Sequence, residues 1–172
     1  NKIMIKVKQS NAVSAYNVLK QIKTKELPAE VAIAIWKNVK VLKPIATSYE
    51  EAIKDSKESL KDNNDEEMSK LLAELQKKET DEAAGKYTFT RTDNENRVKV
   101  TEYYSNAQNK LNAFIKDLDN KEVEIEHTTI NEDDLIKALI GTDFNIGVIE
   151  LIDFLFEDAT KADDKEEDKE DK

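Results

Sequence analysis

The chain has 172 residues, of which 38% are hydrophobic and 37% charged, and a formal net charge of -10. It contains no cysteine, which excludes disulfides, thiolate nucleophiles and Cys-based zinc sites and suits a reducing compartment. Three glycines and two prolines leave few tight turns, so helices with one buried stripe should dominate, and no apolar run approaches the roughly 20 residues that cross a bilayer.

The N-terminal stretch "NKIMIKVKQSN" has no signal-peptide core, so a protein not exported by that route is expected. Within it, Ile3, Ile5 and Val7 alternate with Lys2, Lys6 and Lys8, the period of two that marks a half-buried strand. Ser10 or Asn11 then caps a helix with Val13, Tyr16 and Leu19 on one side, extended by Ile22. Pro28 suits the first position of a second helix, where the missing amide would be unbonded anyway. From there Ile35, Val39, Leu42, Ala46, Tyr49 and Ile53 follow one another at spacings of 4, 3, 4, 3 and 4. This heptad seam passes Pro44 without a change of phase. An interior proline costs about 3 kcal/mol and frees the carbonyl four residues back, here that of Lys40. The unbroken phase nevertheless predicts a continuous, kinked helix from about Pro28 to Leu60.

"KDNNDEE" interrupts the pattern and caps a helix carrying Met68, Leu71, Leu72 and Leu75, with Gly85 as its stop signal. "KYTFTR" has strand composition, with Tyr87 and Phe89 on one face. Thr92 and Glu95 fit a capping box that opens a helix with the stripe Val100, Tyr104, Ala107, Leu111, Phe114 and Leu118. The two matching seams predict an antiparallel helical pair. "KEVEIEHTT" alternates Val123, Ile125 and His127 with Glu122, Glu124 and Glu126, a strand whose acidic face complements the lysines of the first strand. Asn131 caps "EDDLIKALI", with acids in the first turn where the helix dipole favours them. The closing helix, "NIGVIELIDFLFED", is apolar on most sides, so it is either the most buried element or a hydrophobic contact face. Residues 159–172 form an acidic tail, read as solvated or as a frayed helical extension.

Charge is distributed unevenly. Residues 1–43 carry nine lysines against Glu26 and Glu30, a net +7, which leaves -17 for the remainder. The basic part therefore either folds onto the acidic part or faces a separate partner.

Chemistry-bearing motifs are sparse. His127 is the sole histidine, and on the inward side of a strand it reads as a core residue rather than a base. The acids of "DNNDEE" (62–67) and "NEDD" (131–134) offer oxygens suited to a hard cation. Counted from Asp62, however, the sixth and twelfth positions of a calcium loop hold Glu67 and Ala73 in place of Gly and Glu, so these acids read as loop and cap residues. There is no G-x-x-x-x-G-K and no G-x-G-x-x-G to cradle phosphate. Lys37, Lys40 and Lys43 beside Trp36 form only a short basic patch on an acidic protein, so direct nucleic-acid binding is not expected.

The succession of a short strand, "SNAVSAYNVL", "LPAEVAIAIWKNVKVLKP" with "YEEA" shortly after, "YTF", a helix, "VEIE" and a closing apolar helix resembles a group of small phage and prophage proteins. The resemblance covers the chain to about Asp158, implies an origin in tailed bacteriophages, and carries over no catalytic residue. Taken together, a mostly helical α+β fold is expected, with a long kinked helical hairpin and a small sheet of two or three strands, as one domain over residues 1–158. The expected function is a non-enzymatic protein–protein interaction module of virion structure or assembly, located in the host cytoplasm or the virion. The alternative is an acidic anti-defence or regulatory inhibitor of a basic host protein. No cofactor, metal or membrane partner is expected. The partner is a virion component, a host protein or a second copy of the chain, and the candidate contact residues are Trp36, Tyr103, Phe144, Ile149, Ile152 and Phe156.

Overall fold

In the computed structural model, residues 2–157 are described. The elements are β1 (Lys2–Lys8), α1 (Gln9–Gln21), α2 (Ala29–Ser59), α3 (Asp65–Ala83), α4 (Arg91–Asn120), β2 (Glu122–Thr128), α5 (Glu132–Leu139) and a 3₁₀ helix over Ile146–Leu155. The fold is mostly helical α+β with one small antiparallel sheet of two strands. The acidic segment 159–172 lies outside the described residues.

Contacts divide the chain into two compact units, Asn1–Glu50 with Leu118–Lys172, and Glu51–Asp117. Each unit has its own hydrophobic cluster. The first unit holds the larger. Its sheet sets Ile3, Ile5 and Val7 against His127, Ile125 and Val123 on the inward face, and the alternating burial along both strands follows from the period of two. On the other face, Lys6 and Lys8 stand opposite Glu124 and Glu122, and Met4 opposite Glu126.

Strand β1 runs into α1 without a loop. Neither Ser10 nor Asn11 caps α1; instead the Gln9 amide donates to the Lys121 carbonyl at 2.7 Å and the Gln9 side chain to the Leu118 carbonyl at 3.1 Å. The buried apolar face of α1 is Ala12, Ala15, Val18 and Leu19, with Ile22 buried just past its end, and of the expected stripe Tyr16 packs half-buried against this core. Two fully buried alanines let the α1 backbone approach its neighbours closely, and α1 packs on the 3₁₀ helix.

Helix α2 continues through Pro44. Its seam is buried at Ile35, Leu42 and Ala46 and half-buried at Val39, Tyr49 and Ile53, as the heptad spacing requires. Pro44 and Lys40 are both exposed, so the carbonyl that loses its bond lies on the wet side. Asn38, fully buried on the inner face, donates its amide to the Thr128 carbonyl at 2.7 Å and accepts from the Thr128 amide at 2.8 Å. That pair of bonds occupies the free edge of β2 in the way another strand would.

The apolar residues after α5 form a 3₁₀ helix rather than an α-helix. With three residues per turn, positions three apart eclipse, and Ile149, Ile152 and Leu155 are buried together. The Ile130 amide donates to the Leu155 carbonyl at 2.8 Å, and Ile130 pairs with Phe156 in a parallel bridge.

In the second unit, α3 ends on Gly85 at φ +73. The Lys86 amide donates to the Asp81 carbonyl and the Gly85 amide to the Glu82 carbonyl, the double closure of a Schellman cap. Residues 87–90 are not a third strand. Thr90 caps α4: the Asp93 amide donates to Thr90 Oγ1 at 3.1 Å and the Thr90 amide to Asp93 Oδ2 at 2.9 Å. This reciprocal box lies two residues before the expected Thr92–Glu95 pair and uses up the backbone that a strand would need. The seam of α4 starts at Val100 and Tyr104, which pack with Met68, Leu71, Leu72 and Leu75 of α3. The partner over this stretch is therefore α3, brought alongside by the tight turn at Gly85, and not α2. Phe114, further along the seam, is 38% exposed.

Candidate interaction surface

Helix α2 has two faces of different character. The seam and Asn38 look inward, whereas Ile33, Trp36, Lys37, Lys40, Lys43 and Thr47 are all exposed. At 100° per residue, Ile33, Trp36, Lys40, Lys43 and Thr47 form one row along the outer side. Trp36 is 60% exposed and Ile33 52%. Lys40 Nζ lies 5.1 Å from the centroid of the Trp36 ring, a cation–π contact that holds the indole against the helix. Between Glu30 and Glu50, α2 carries three lysines and no acid. Among the described residues, no carboxylate lies within ion-pair distance of Lys37, Lys40 or Lys43. The row is thus an apolar anchor set in uncompensated positive charge. Covering the open part of the indole removes on the order of 120 Å² from water, a contribution of about 3 kcal/mol, within the range of an interface hot spot.

The other candidate contact residues are placed differently. Ile149, Ile152 and Phe156 are 6%, 0% and 8% exposed; they form core and are not available to a partner. Ile146, at the start of the 3₁₀ helix, and Leu151, off its buried row, are exposed instead. Phe144 is half-buried and helps line an open cavity of about 560 Å³ between the loop after α1 and the loop after α5. The exposed pair Lys23–Asp143, 3.5 Å apart, is part of its lining. Tyr103 belongs to the second unit, edge-on to Tyr104. Its hydroxyl donates to Asp65 at 3.0 Å and to Asp62 at 3.2 Å. Desolvation, followed by those two bonds, pushes the phenol up to about 12. Ile33 escaped the sequence reading, although its position three residues before Trp36 and off the seam marks it.

The acids considered for cation binding have local duties. Asp62 accepts from the Asn64 amide and from Tyr103, and Asn131 caps α5 by accepting from the Asp134 amide at 3.0 Å. His127 is buried on the inward face of β2, opposite Ile3.

The most strongly perturbed carboxylate is Asp93, which is buried. Lys78 Nζ donates to it at 2.7 Å, as do the Tyr87 hydroxyl and the Thr90 amide. The Lys78 bond, then those from Tyr87 and Thr90, hold its carboxyl well below the usual range, and Asp93 in turn raises both Lys78 and Tyr87. Tyr87 meets Phe89 edge-on at 5.9 Å, and the Arg97 guanidinium lies 4.8 Å from the Phe89 centroid. Every donor of this cluster converges on one carboxylate that already serves as the N3 residue of α4. It is a helix-start lock, with perturbation explained by structure alone.

The fold and this surface define a mostly helical α+β protein that presents an aromatic, basic helix face. No protein-family model, curated protein or solved structure matches the chain. Among the described residues, no helix is long and apolar enough to cross a membrane.

Proposed function

We propose that the chain is a non-enzymatic protein–protein interaction module of phage origin that serves virion structure or assembly, in the host cytoplasm or in the particle. The observation that supports this reading is the exposed Trp36–Ile33 pair on α2. A large aromatic and a β-branched side chain are held in water on a helix whose opposite face is anchored in the core. Such a preorganised anchor loses little side-chain freedom when covered. The lysines around it set orientation and association rate.

The inhibitor reading, in which Glu122, Glu124 and Glu126 act as an acidic decoy, is less favoured. The sheet register sets Lys8 and Lys6 opposite Glu122 and Glu124, so these two acids do not stand alone on that face but each has a lysine across the strand pair.

The test is Trp36→Asp together with Ile33→Asp, both on an exposed face where folding should be unaffected. Light scattering after size exclusion and co-purification with phage particles should show a defined stoichiometric complex for the parent chain and its loss in the variant, with circular dichroism unchanged. A parent chain that is strictly monomeric and absent from particles overturns the proposal.

A further inference from the structure

We infer that the outer edge of β1 takes up an extended segment of a partner protein in which acidic and apolar side chains alternate, added to the sheet as a third strand. Backbone direction shows which groups are on offer. The Gln9 amide donates to the Lys121 carbonyl, one step beyond the pair of Lys8 with Glu122, so residues 9 and 121 form a hydrogen-bonded pair. Bonded and non-bonded pairs alternate along an antiparallel ladder. Val7, Ile5 and Ile3 are therefore bonded to Val123, Ile125 and His127, whereas the amides and carbonyls of Lys2, Met4 and Lys6 point away from β2. The same parity holds at the other edge, where Thr128, the partner of Lys2, turns its amide and carbonyl outward to Asn38. There α2 closes the sheet. At β1, among the described residues, no group outside the sheet bonds to the backbone of Lys2, Met4 or Lys6.

Burial and charge say what the added strand must carry. On the inward face Ile125 and His127 are each 2% exposed, whereas Ile5 and Ile3 opposite them are only half-buried, as is Val7. A strand beside β1 would cover the open flank of this apolar row, so its inward side chains are apolar. On the outward face Lys2, Lys6 and Lys8 are exposed and Met4 is 60% exposed, so the alternate side chains are acidic. Strand β2 already satisfies β1 with this alternation, Val123, Ile125 and His127 inward and Glu122, Glu124 and Glu126 outward. A second copy of β1 fits poorly, because an antiparallel pair of the two would gather the lysines of both copies on one face. In such strand addition the main-chain bonds supply affinity and the alternate side chains supply selectivity.

This edge is separate from the α2 face, and its test needs no virion component. A fluorescein-labelled synthetic peptide, Glu-Val-Glu-Ile-Glu-Val-Glu, is titrated with the full chain and followed by anisotropy, beside Lys-Val-Lys-Ile-Lys-Val-Lys, which keeps the apolar row and reverses the charge. The acidic peptide should bind about tenfold more tightly or better, since the cross-strand charge pairs change from attractive to repulsive, and high salt should narrow that gap. Hydrogen exchange followed by NMR should slow at the Met4 and Lys6 amides when the acidic peptide is added, with the β2 amides unchanged. Met4→Pro removes an outward N–H at an edge position that proline tolerates, so it should abolish the binding with circular dichroism unchanged; if that variant folds poorly, the exchange pattern of the parent chain decides. Absence of binding, or equal binding of the two peptides, overturns the inference. So does binding that leaves the Met4 and Lys6 amides unprotected, or that survives Met4→Pro in a folded variant. Protection of β1 amides that grows with protein concentration in the absence of peptide assigns the edge to a second copy and overturns it as well. None of these failures affects the test of the complex with particles, so the two readings fall separately.

Discussion

Replacing Asn38 by Ala is the most demanding test of the first unit. The side chain is fully buried and makes two bonds of 2.7 and 2.8 Å to the backbone of one residue, Thr128. Each bond is worth about 0.5–1.5 kcal/mol net, and a stranded buried partner costs a further 1–3 kcal/mol or so. Thr128 is half-buried, which lets water recover part of the loss, so the expected cost is about 2–4 kcal/mol. With a urea m-value of about 2 kcal/mol/M, the midpoint followed by far-UV circular dichroism should fall by roughly 1–2 M. Hydrogen exchange of peptides covering β2 should locate the loss, the Thr128 amide exchanging about thirtyfold faster or more. Asn38→Asp keeps an acceptor for the Thr128 amide but turns a carboxylate oxygen towards the Thr128 carbonyl. It should destabilise at least as much at neutral pH and recover in acid, when the carboxyl can donate. Thr47→Ala, on the exposed face of the same helix, sets the baseline at under about 0.5 kcal/mol. If Asn38→Ala matches that baseline, the Asn38–Thr128 bonds do not hold α2 to the sheet and the reasoning fails.

Further outcomes follow from the second unit and from the tyrosines. Asp93 has a lowered folded-state pKa, so its contribution is present above the ordinary carboxylate pKa of about 3.9 and is lost as pH falls below it; Asp93→Asn should flatten the drop in stability between pH 5 and pH 2 measured by denaturation, and an unchanged slope would remove Asp93 as its source. Tyr49, whose hydroxyl donates to Asp119 at 2.6 Å, is pushed up to about 12 mainly by that bond. Its contribution is therefore complete below pH 10 and is lost as pH rises from about 10 to 12; absorbance titration should show a late phenol step that Tyr49→Phe reduces. Gly85→Ala meets nothing within 4 Å but sits at φ +73, so its cost is conformational alone, about 1 kcal/mol, and thermal denaturation that shows no loss would place the strain elsewhere.

The strands and α2 were legible because their patterns are carried by many residues at once. Alternation at Ile3, Ile5 and Val7 and at Val123, Ile125 and His127 survives any single exception such as Met4. The seam of α2 outweighs one proline whose freed carbonyl can face water. Features set by single hydrogen bonds were not legible. Tyr87 and Phe89 have strand composition, but Thr90 and Asp93 claim the neighbouring backbone for a helix cap. Ile149, Ile152 and Phe156 looked like a sticky helix face because α-helical and 3₁₀ periods are hard to distinguish in a short, uniformly apolar run. The division into two units was hidden because α2 and α4 each run on through its boundaries. For the surface, the oddity of Trp36 was visible, but the direction in which it faces is a property of how α2 is rotated.

That rotation connects the core to the proposed function. Asn38 and Trp36 are two residues apart, about 200° around the helix, so a side chain that binds Thr128 from one side commits the other to solvent. Leu42 and Ile35 would tolerate a modest rotation, since apolar packing has no directional preference, whereas two hydrogen bonds to one residue do not. The buried polar residue is therefore a rotational pin that keeps an expensive aromatic outside. If so, Asn38→Leu, which preserves apolar volume but removes the pin, should lower acrylamide quenching of Trp36 by letting the helix turn its indole towards the core. Asn38→Leu with unchanged quenching would show that the apolar seam alone sets which side of α2 meets water.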